Sequence, residues 1–253
     1  MTRVISCVNQ KGGVGKTTLC ANLTGVLAHM GHKVIVIDID PQGHLSQHLG
    51  IRASQNPLGI YDVLQGDALL LDVGVEVAEN LYVVPPGESL VRLESVQMKA
   101  GRGLLLRKAL ENIETEGVDF VVIDCPPSNG FLVVNAIAAS QELLIPVTPD
   151  YLGLSGISAM TKQIKRYEEV MGRFDNLWIV VSRFQRRAVS KEAEAKLRHY
   201  FGRKVVAQVI YERAVTAECP GHGQPVIRYA PRSKSSKEFI ALAQHILGGE
   251  SRE

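Results

Sequence analysis

The sequence predicts an α/β fold, a doubly wound and mostly parallel sheet flanked by helices, in a single domain over residues 1–253. Three observations point to it. Short Val/Ile/Leu runs alternate with longer helical patterns along the chain. Several of these runs are unbroken, as strands covered by helices on both faces require. A glycine-rich stretch at residues 10–18 follows the first run and opens the first helical pattern. In such folds, ligands sit at the carboxyl ends of strands.

In chain order, the expected strands are residues 4–8, 34–39, 81–84, 120–124, 143–147, 177–182 and 205–210. The first helix is expected over residues 16–30. Leu19, Leu23, Val26, Leu27 and Met30 line one face, and Gly31 stands just past the end. Further helices are expected over 103–115, 154–171, 188–201 and 235–247.

Composition narrows the class. Hydrophobic residues are 45% and charged residues 21%, which excludes a disordered or fibrous chain. No apolar run reaches the roughly 18 residues of a membrane span. The first residues enter a strand-like run at once, without a signal-peptide pattern, so a cytoplasmic protein is expected. Cys7, Cys20, Cys125 and Cys219 are scattered and form no CxxC pair, which argues for reduced core thiols. His44 and His48 stand at i, i+4 but lack a nearby third ligand, so both are expected to be solvated.

The glycine-rich stretch carries the chemistry. It reads Gln10-Lys11-Gly12-Gly13-Val14-Gly15-Lys16-Thr17-Thr18. Glycines let backbone N–H groups curl around phosphate oxygens, and the helix N-terminus adds partial positive charge. Lys16 has the reach for β- and γ-phosphates, and the Thr17 hydroxyl is a ligand for Mg²⁺. The strict G-x-x-x-x-G-K-[ST] pattern has glycine where this chain has Gln10.

KGGVGKTT, with its extra lysine at Lys11, resembles the deviant Walker A loop of the ParA/MinD ATPases. The resemblance continues down the chain. Residues 36–43 (VIDIDPQG) are similar to that family's D-x-D-P-Q-G segment. Residues 120–128 (FVVIDCPPS) are similar to its Walker B and switch segment, with Asn135-Ala136 following. Residues 220–226 and 229–234 resemble the closing segments of short Soj-like ParA partition ATPases. The resemblance implies a P-loop fold of the deviant Walker A type that binds ATP and Mg²⁺ and hydrolyses ATP, weakly alone and faster with a partner.

By the same resemblance, Lys11 reaches a partner's phosphates across a nucleotide-sandwich homodimer. Asp40 orients or polarises the attacking water and, with Thr17 and Asp124, serves the metal. Asp38 is either near the metal or hydrogen-bonded to loop backbone. Adenine contacts fall on Ser182, Arg183 and Tyr211. The implied biology is ATP-dependent, non-specific DNA binding on the nucleoid, stimulated by a ParB-like or other adaptor, for chromosome or plasmid partition.

Charge partitioning agrees. The total of +2 conceals residues 183–237, which carry 13 Lys/Arg against 4 Asp/Glu, a net of +9. The DNA-facing set expected there is Arg183, Arg186, Arg187, Lys191, Arg203, Lys204, Arg213, Arg228, Arg232, Lys234 and Lys237. Glu212 and Val215 stand where the Soj-like pattern has arginines, with Arg213 and residues 183–191 as the compensating cations. Three alternatives remain beside partition. One is positioning a non-DNA cargo such as a chemotaxis array or carboxysome. Another is a MinD-like membrane ATPase, against which the last helix reads as core-packing, so no stable membrane binding is expected. The third, a nitrogenase-iron-protein-like reductase, is disfavoured because Cys125 and Cys219 do not match its cluster-bridging arrangement.

Overall fold

The computed structural model describes residues 1–52, 58–94, 102–111, 113–149 and 154–249. Seven strands form one sheet: β1 (Arg3–Cys7), β2 (Val34–Asp38), β3 (Val75–Ala78), β4 (Leu81–Val84), β5 (Phe120–Asp124), β6 (Glu142–Val147) and β7 (Asn176–Val181). Their order is β3-β4-β2-β5-β1-β6-β7, and every pairing is parallel except β3 with β4. The connection that leaves β1 runs through α1 to β2 on one side, and the connection that leaves its neighbour β5 runs through α6 to β6 on the other. That divergence opens a crevice above the carboxyl ends of β1 and β5.

The helices are α1 (Lys16–His29), α2 (His44–His48), α3 (Ile60–Gln65), α4 (Val91–Glu94), α5 (Leu105–Ala109), α6 (Phe131–Ala139), α7 (Leu154–Met171), α8 (Ala188–Phe201), α9 (Ala214–Glu218), α10 (Val226–Tyr229) and α11 (Lys234–Gly248). Alternate residues of each strand enter two cores. One face buries Val4, Ile37, Val121 and Ile179 against α6, α7 and α8. The other buries Ile5, Val36, Val122 and Trp178 against α1 and α11. Phe239, Leu242, Ala243 and Ile246 make α11 a core helix. This two-sided burial explains the unbroken apolar runs.

Some expected elements differ. Residues 205–210 form no strand. Single bridges join Val205 to Ile179 and Tyr211 to Phe184. The carbonyls of Val205, Val206 and Ala207 instead accept from the Arg198 guanidinium of α8, at 3.5, 3.3 and 3.1 Å. β3 is an additional antiparallel edge strand, turned at Asn80, which has φ +62°. The expected helix over 103–115 becomes a 3₁₀ turn (Arg102–Leu104), α5 and a second 3₁₀ turn (Ile113–Glu116), with residue 112 outside the described residues. Buried Asn135 sets where α5 starts. Its side-chain oxygen accepts from Leu105 N and Leu106 N, and its nitrogen donates to Arg102 O. The last helix is expected at 235–247 and spans Lys234–Gly248, and residues 250–253 lie outside the described residues.

All four cysteines are buried free thiols. His44 is exposed, but His48 is buried, correcting the expectation that both are solvated. His48 Nε2 lies 3.6 Å from Cys219 Sγ, where Gly223 closes on Gly50. Burial lowers the His48 imidazole from 6.5 to about 4. Between those values the unfolded chain holds a proton that the folded chain lacks, so stability falls as pH drops through that window. We expect wild type to lose about 1–2 kcal/mol more than His48→Gln between pH 7 and pH 5. Denaturant titrations at the two pH values read this directly, and equal losses would contradict it.

Candidate nucleotide site and adjoining basic surface

The loop between β1 and α1 is wound around one ammonium group. Lys16 is buried, and its Nζ donates to Asn9 O at 3.0 Å and Lys11 O at 3.4 Å. Asn9 Oδ1 accepts from Lys11 N, and Asn9 Nδ2 donates to Pro146 O, which ties the loop to β6. Gly13 and Gly15 sit at φ +73° and +89°, backbone that residues with side chains rarely adopt. The buried Ser182 hydroxyl donates to Val14 O at 2.7 Å and props the loop from the end of β7. α1 starts without a side-chain cap and has no acidic residue in its first turn, leaving N–H groups and a positive dipole end for an anion. Gln10, in place of a glycine, donates to Asn129 Oδ1 at 2.7 Å and so joins the loop to the segment after β5.

Beside the loop, parallel register places Asp38 opposite Asp124. Both are buried. Asp124 Oδ2 accepts from the Thr17 hydroxyl at 2.7 Å, and its Oδ1 faces Cys20 Sγ at 3.7 Å. Asp38 Oδ2 accepts from Ser46 N and Ser46 Oγ, both at 2.8 Å. Of the two alternatives for Asp38, the hydrogen-bonding one is present, with Ser46 of α2 as the partner in place of loop backbone. Asp38 Oδ1 is buried without a hydrogen-bond partner among the described residues. Burial, then the neighbouring Asp124 charge, raises Asp38 to about 8. Burial raises Asp124 to about 7 against the opposing Thr17 hydrogen bond. Asp40 is half-buried and accepts from Gln42 N at 3.0 Å.

An unpaired carboxylate oxygen, a second carboxylate and a hydroxyl form the all-oxygen donor set that a Mg²⁺ ion accepts. Magnesium held by Thr17 and Asp124 would supply positive charge against phosphate oxygens.

A cleft of about 730 Å³ opens above these groups. Gly12, Gly13, Gly15, Lys16, Thr17, Thr18, Asp40, Ser182, Arg183 and Tyr211 line it. Lys11, Val14 and Asp124 belong to its supporting loop and strand and are not among the lining residues. Pattern reasoning missed Gln42, His44, Glu94, Thr216 and Ala217, which also line the cleft, and Ser46 and Cys20, which hold the carboxylates. The i, i+8 spacing of Asp38 and Ser46 across one turn was the available signal for Ser46. Thr216 arrives only through tertiary packing.

Arg183 and Arg213 are positioned by acids. Arg183 pairs with Glu212 at 2.7 Å, and Arg213 pairs with Glu238. Arg213 and Arg186 flank Tyr211, their guanidinium carbons 4.9 and 5.4 Å from its ring centroid. Arg213 is half-buried. Lys204 is also half-buried, whereas Arg186, Arg187, Lys191, Arg203, Arg228, Arg232, Lys234 and Lys237 are exposed. Four basic residues of the 183–237 segment, Arg183, Lys196, Arg198 and Arg213, are in ion pairs.

A parallel sheet carrying this loop between β1 and α1, with an aspartate closing β5, defines a P-loop ATPase fold. Comparison with known proteins narrows the class. A family model described as an AAA domain matches residues 2–175. The chain is 34% identical over 250 residues to the sporulation initiation inhibitor protein Soj of Bacillus subtilis, covering 97% of this chain and 98% of that protein. It is 36% identical over 253 residues to the chromosome partitioning protein ParA of Caulobacter vibrioides, covering 98% and 95%. A solved structure from Mycobacterium smegmatis, described as cobyrinic acid a,c-diamide synthase with bound ADP and magnesium, superposes with a TM-score of 0.83 at 27% identity. It covers 100% of this chain and 97% of that one. The chain belongs to the ParA/Soj family of deviant Walker A ATPases.

With ADP and Mg²⁺ at one hundred times Kd, we expect about 2.7 kcal/mol of stabilisation in wild type and none in Lys16→Ala. Asp124→Asn should keep a nucleotide-only increment and lose the part that depends on magnesium. Thermal shift with and without EDTA measures both, and a full magnesium increment in Asp124→Asn would contradict the assignment.

Proposed function

We propose that the chain is an ATP-hydrolysing dimeric switch that binds non-specific DNA in its ATP state and partitions a chromosome or plasmid cargo. The observation that carries this reading is the continuity of cleft and basic surface. Ser182 and Arg183 line the cleft, and the same backbone continues into exposed Arg186, Arg187 and Lys191 at the start of α8. Lys and Arg arranged this way neutralise phosphates without reading bases. The exposed Arg203, Arg228, Arg232, Lys234 and Lys237 extend the same charge.

In this reading, Lys16 and Thr17 hold the phosphates and magnesium, and Asp40 orients the attacking water. Lys11 completes the site of a second copy, so ATP binding and dimerisation are one event. Tyr211 contributes to the nucleoside end of the cleft. An adaptor that completes the site accelerates hydrolysis, as activating partners do for other phosphate-loop ATPases. α11 buries its apolar face against α1, which favours DNA over a membrane surface as the matrix. Among the described residues, no helix is long and apolar enough to cross a membrane.

Fluorescence anisotropy on an unrelated-sequence duplex, with ATP, ADP and no nucleotide across salt, tests the switch. Wild type should bind tightly only with ATP. Arg186→Ala/Arg187→Ala should weaken binding on all sequences and flatten the log–log salt slope by about 1.8, two phosphate contacts. Lys11→Ala should retain nucleotide binding and lose ATP-dependent dimers in light scattering. Binding that ignores nucleotide, or that is absent at low salt, would overturn the proposal.

A further inference from the structure

Arg183 is held in an unusual way. Its backbone stands at φ +49°, one of two positive φ values outside glycine among the described residues. Its Nη1 donates to Gly13 O in the phosphate loop at 2.8 Å, while Nε and Nη2 donate to Glu212 Oε1 at 3.2 and 2.7 Å. The other Glu212 oxygen accepts from Gln185 Nε2. Glu212 N donates in turn to Phe184 O at 3.1 Å. A single exposed carboxylate therefore ties down the strap of residues 183–185, and through Arg183 it ties that strap to the loop that wraps Lys16. Arg186 and Arg187 follow immediately. Left-handed backbone at a non-glycine residue persists only where the surroundings enforce it; here Ser182 N and Phe184 N, on either side, donate to Val147 O and Ile210 O, while Glu212 and Gly13 hold the side chain.

We propose that Glu212 is an internal latch on the basic surface: it holds Arg183 in place of a DNA phosphate and couples the 183–187 strap to the state of the phosphate loop. The latch rests on the DNA-binding reading above and adds its regulation. Glu212 and a backbone phosphate compete for the same guanidinium, since both accept its paired donors. Movement of Gly13 on nucleotide binding alters the third contact of that guanidinium. Arg183 is then free to leave Glu212 and join Arg186 and Arg187 on the polyanion. In the latched state the strap is short of one cation.

Anisotropy with a labelled unrelated-sequence duplex, on Glu212→Gln, Arg183→Ala and the double variant, separates latch from bulk charge. Glu212→Gln should gain binding in the ADP state and steepen the salt slope by about 0.9, one further phosphate contact. In the Arg183→Ala background, Glu212→Gln should change neither. An equal gain in both backgrounds would reduce Glu212 to a repelling charge and overturn the latch, as would no gain in either. If wild type binds no duplex in any state, the DNA reading fails. The latch is then judged by amide hydrogen exchange of residues 184–187, which Glu212→Gln and Arg183→Ala should both accelerate. Unchanged exchange would overturn it.

Discussion

Two carboxylates that parallel register forces side by side, Asp38 and Asp124, are the constraint around which the cleft is assembled. Burial raises both groups towards neutral pH, to about 8 and about 7, and the neighbouring Asp124 charge adds to the rise of Asp38. Their partners come from two helices. Thr17 and Cys20 reach Asp124 from α1, and Ser46 reaches Asp38 from α2. The chain thus keeps an electrostatically expensive pair in a place where a divalent cation and phosphate oxygens relieve it. The loop is built on the same principle with the sign reversed. The Lys16 ammonium is buried against backbone carbonyls, so a strong positive charge is already desolvated and aimed at the cleft.

These local devices are linked to the rest of the molecule. α2 is anchored at one end to Asp38 through Ser46 and at the other to Cys219 through His48. Gln10 ties the loop to Asn129, and Ser182 ties it to the end of β7. Through these contacts the loop and α2 are joined to Asn129 after β5, to the strap after β7 and to the turn at Cys219. α1 stands at the centre, because it carries Thr17 at its first turn and also packs on α11 and α10. Asn22 accepts from Val226 N at 2.6 Å, and a Cβ on Gly25 would come within 2.5 Å of Pro225.

How far the sequence could be read depended on whether a signal was local. β2, β5, β6 and β7 show themselves because strands covered on both faces need continuous apolar side chains. α8 and α7 show themselves by period. Residues 205–210 carry the same β-branched composition yet form no strand, because Arg198, seven to nine positions upstream, takes their carbonyls. α6 was hidden because Phe131–Ala139 is apolar on nearly every side and has no period to detect. α5 is set by Asn135, thirty residues away, which supplies a cap that no nearby residue provides. β3 was readable in principle: Val75, Glu76 and Val77 alternate before a turn at Asn80.

The sequence by itself determined the α/β class, the phosphate loop with Lys16 and Thr17, the aspartates that close β2 and β5, and the concentration of positive charge in residues 183–237. Those features are local, since a glycine pattern, an aspartate after an apolar run and a charge count each survive without knowing what packs where. Only the tertiary structure decided how that charge is used. It pairs Arg183 with Glu212 and Arg213 with Glu238, buries His48 against Cys219, and leaves Arg186, Arg187 and Lys191 exposed. An ion pair depends on the distance between groups far apart in the chain, and burial depends on what covers a side chain, so neither is written in a run of neighbouring residues.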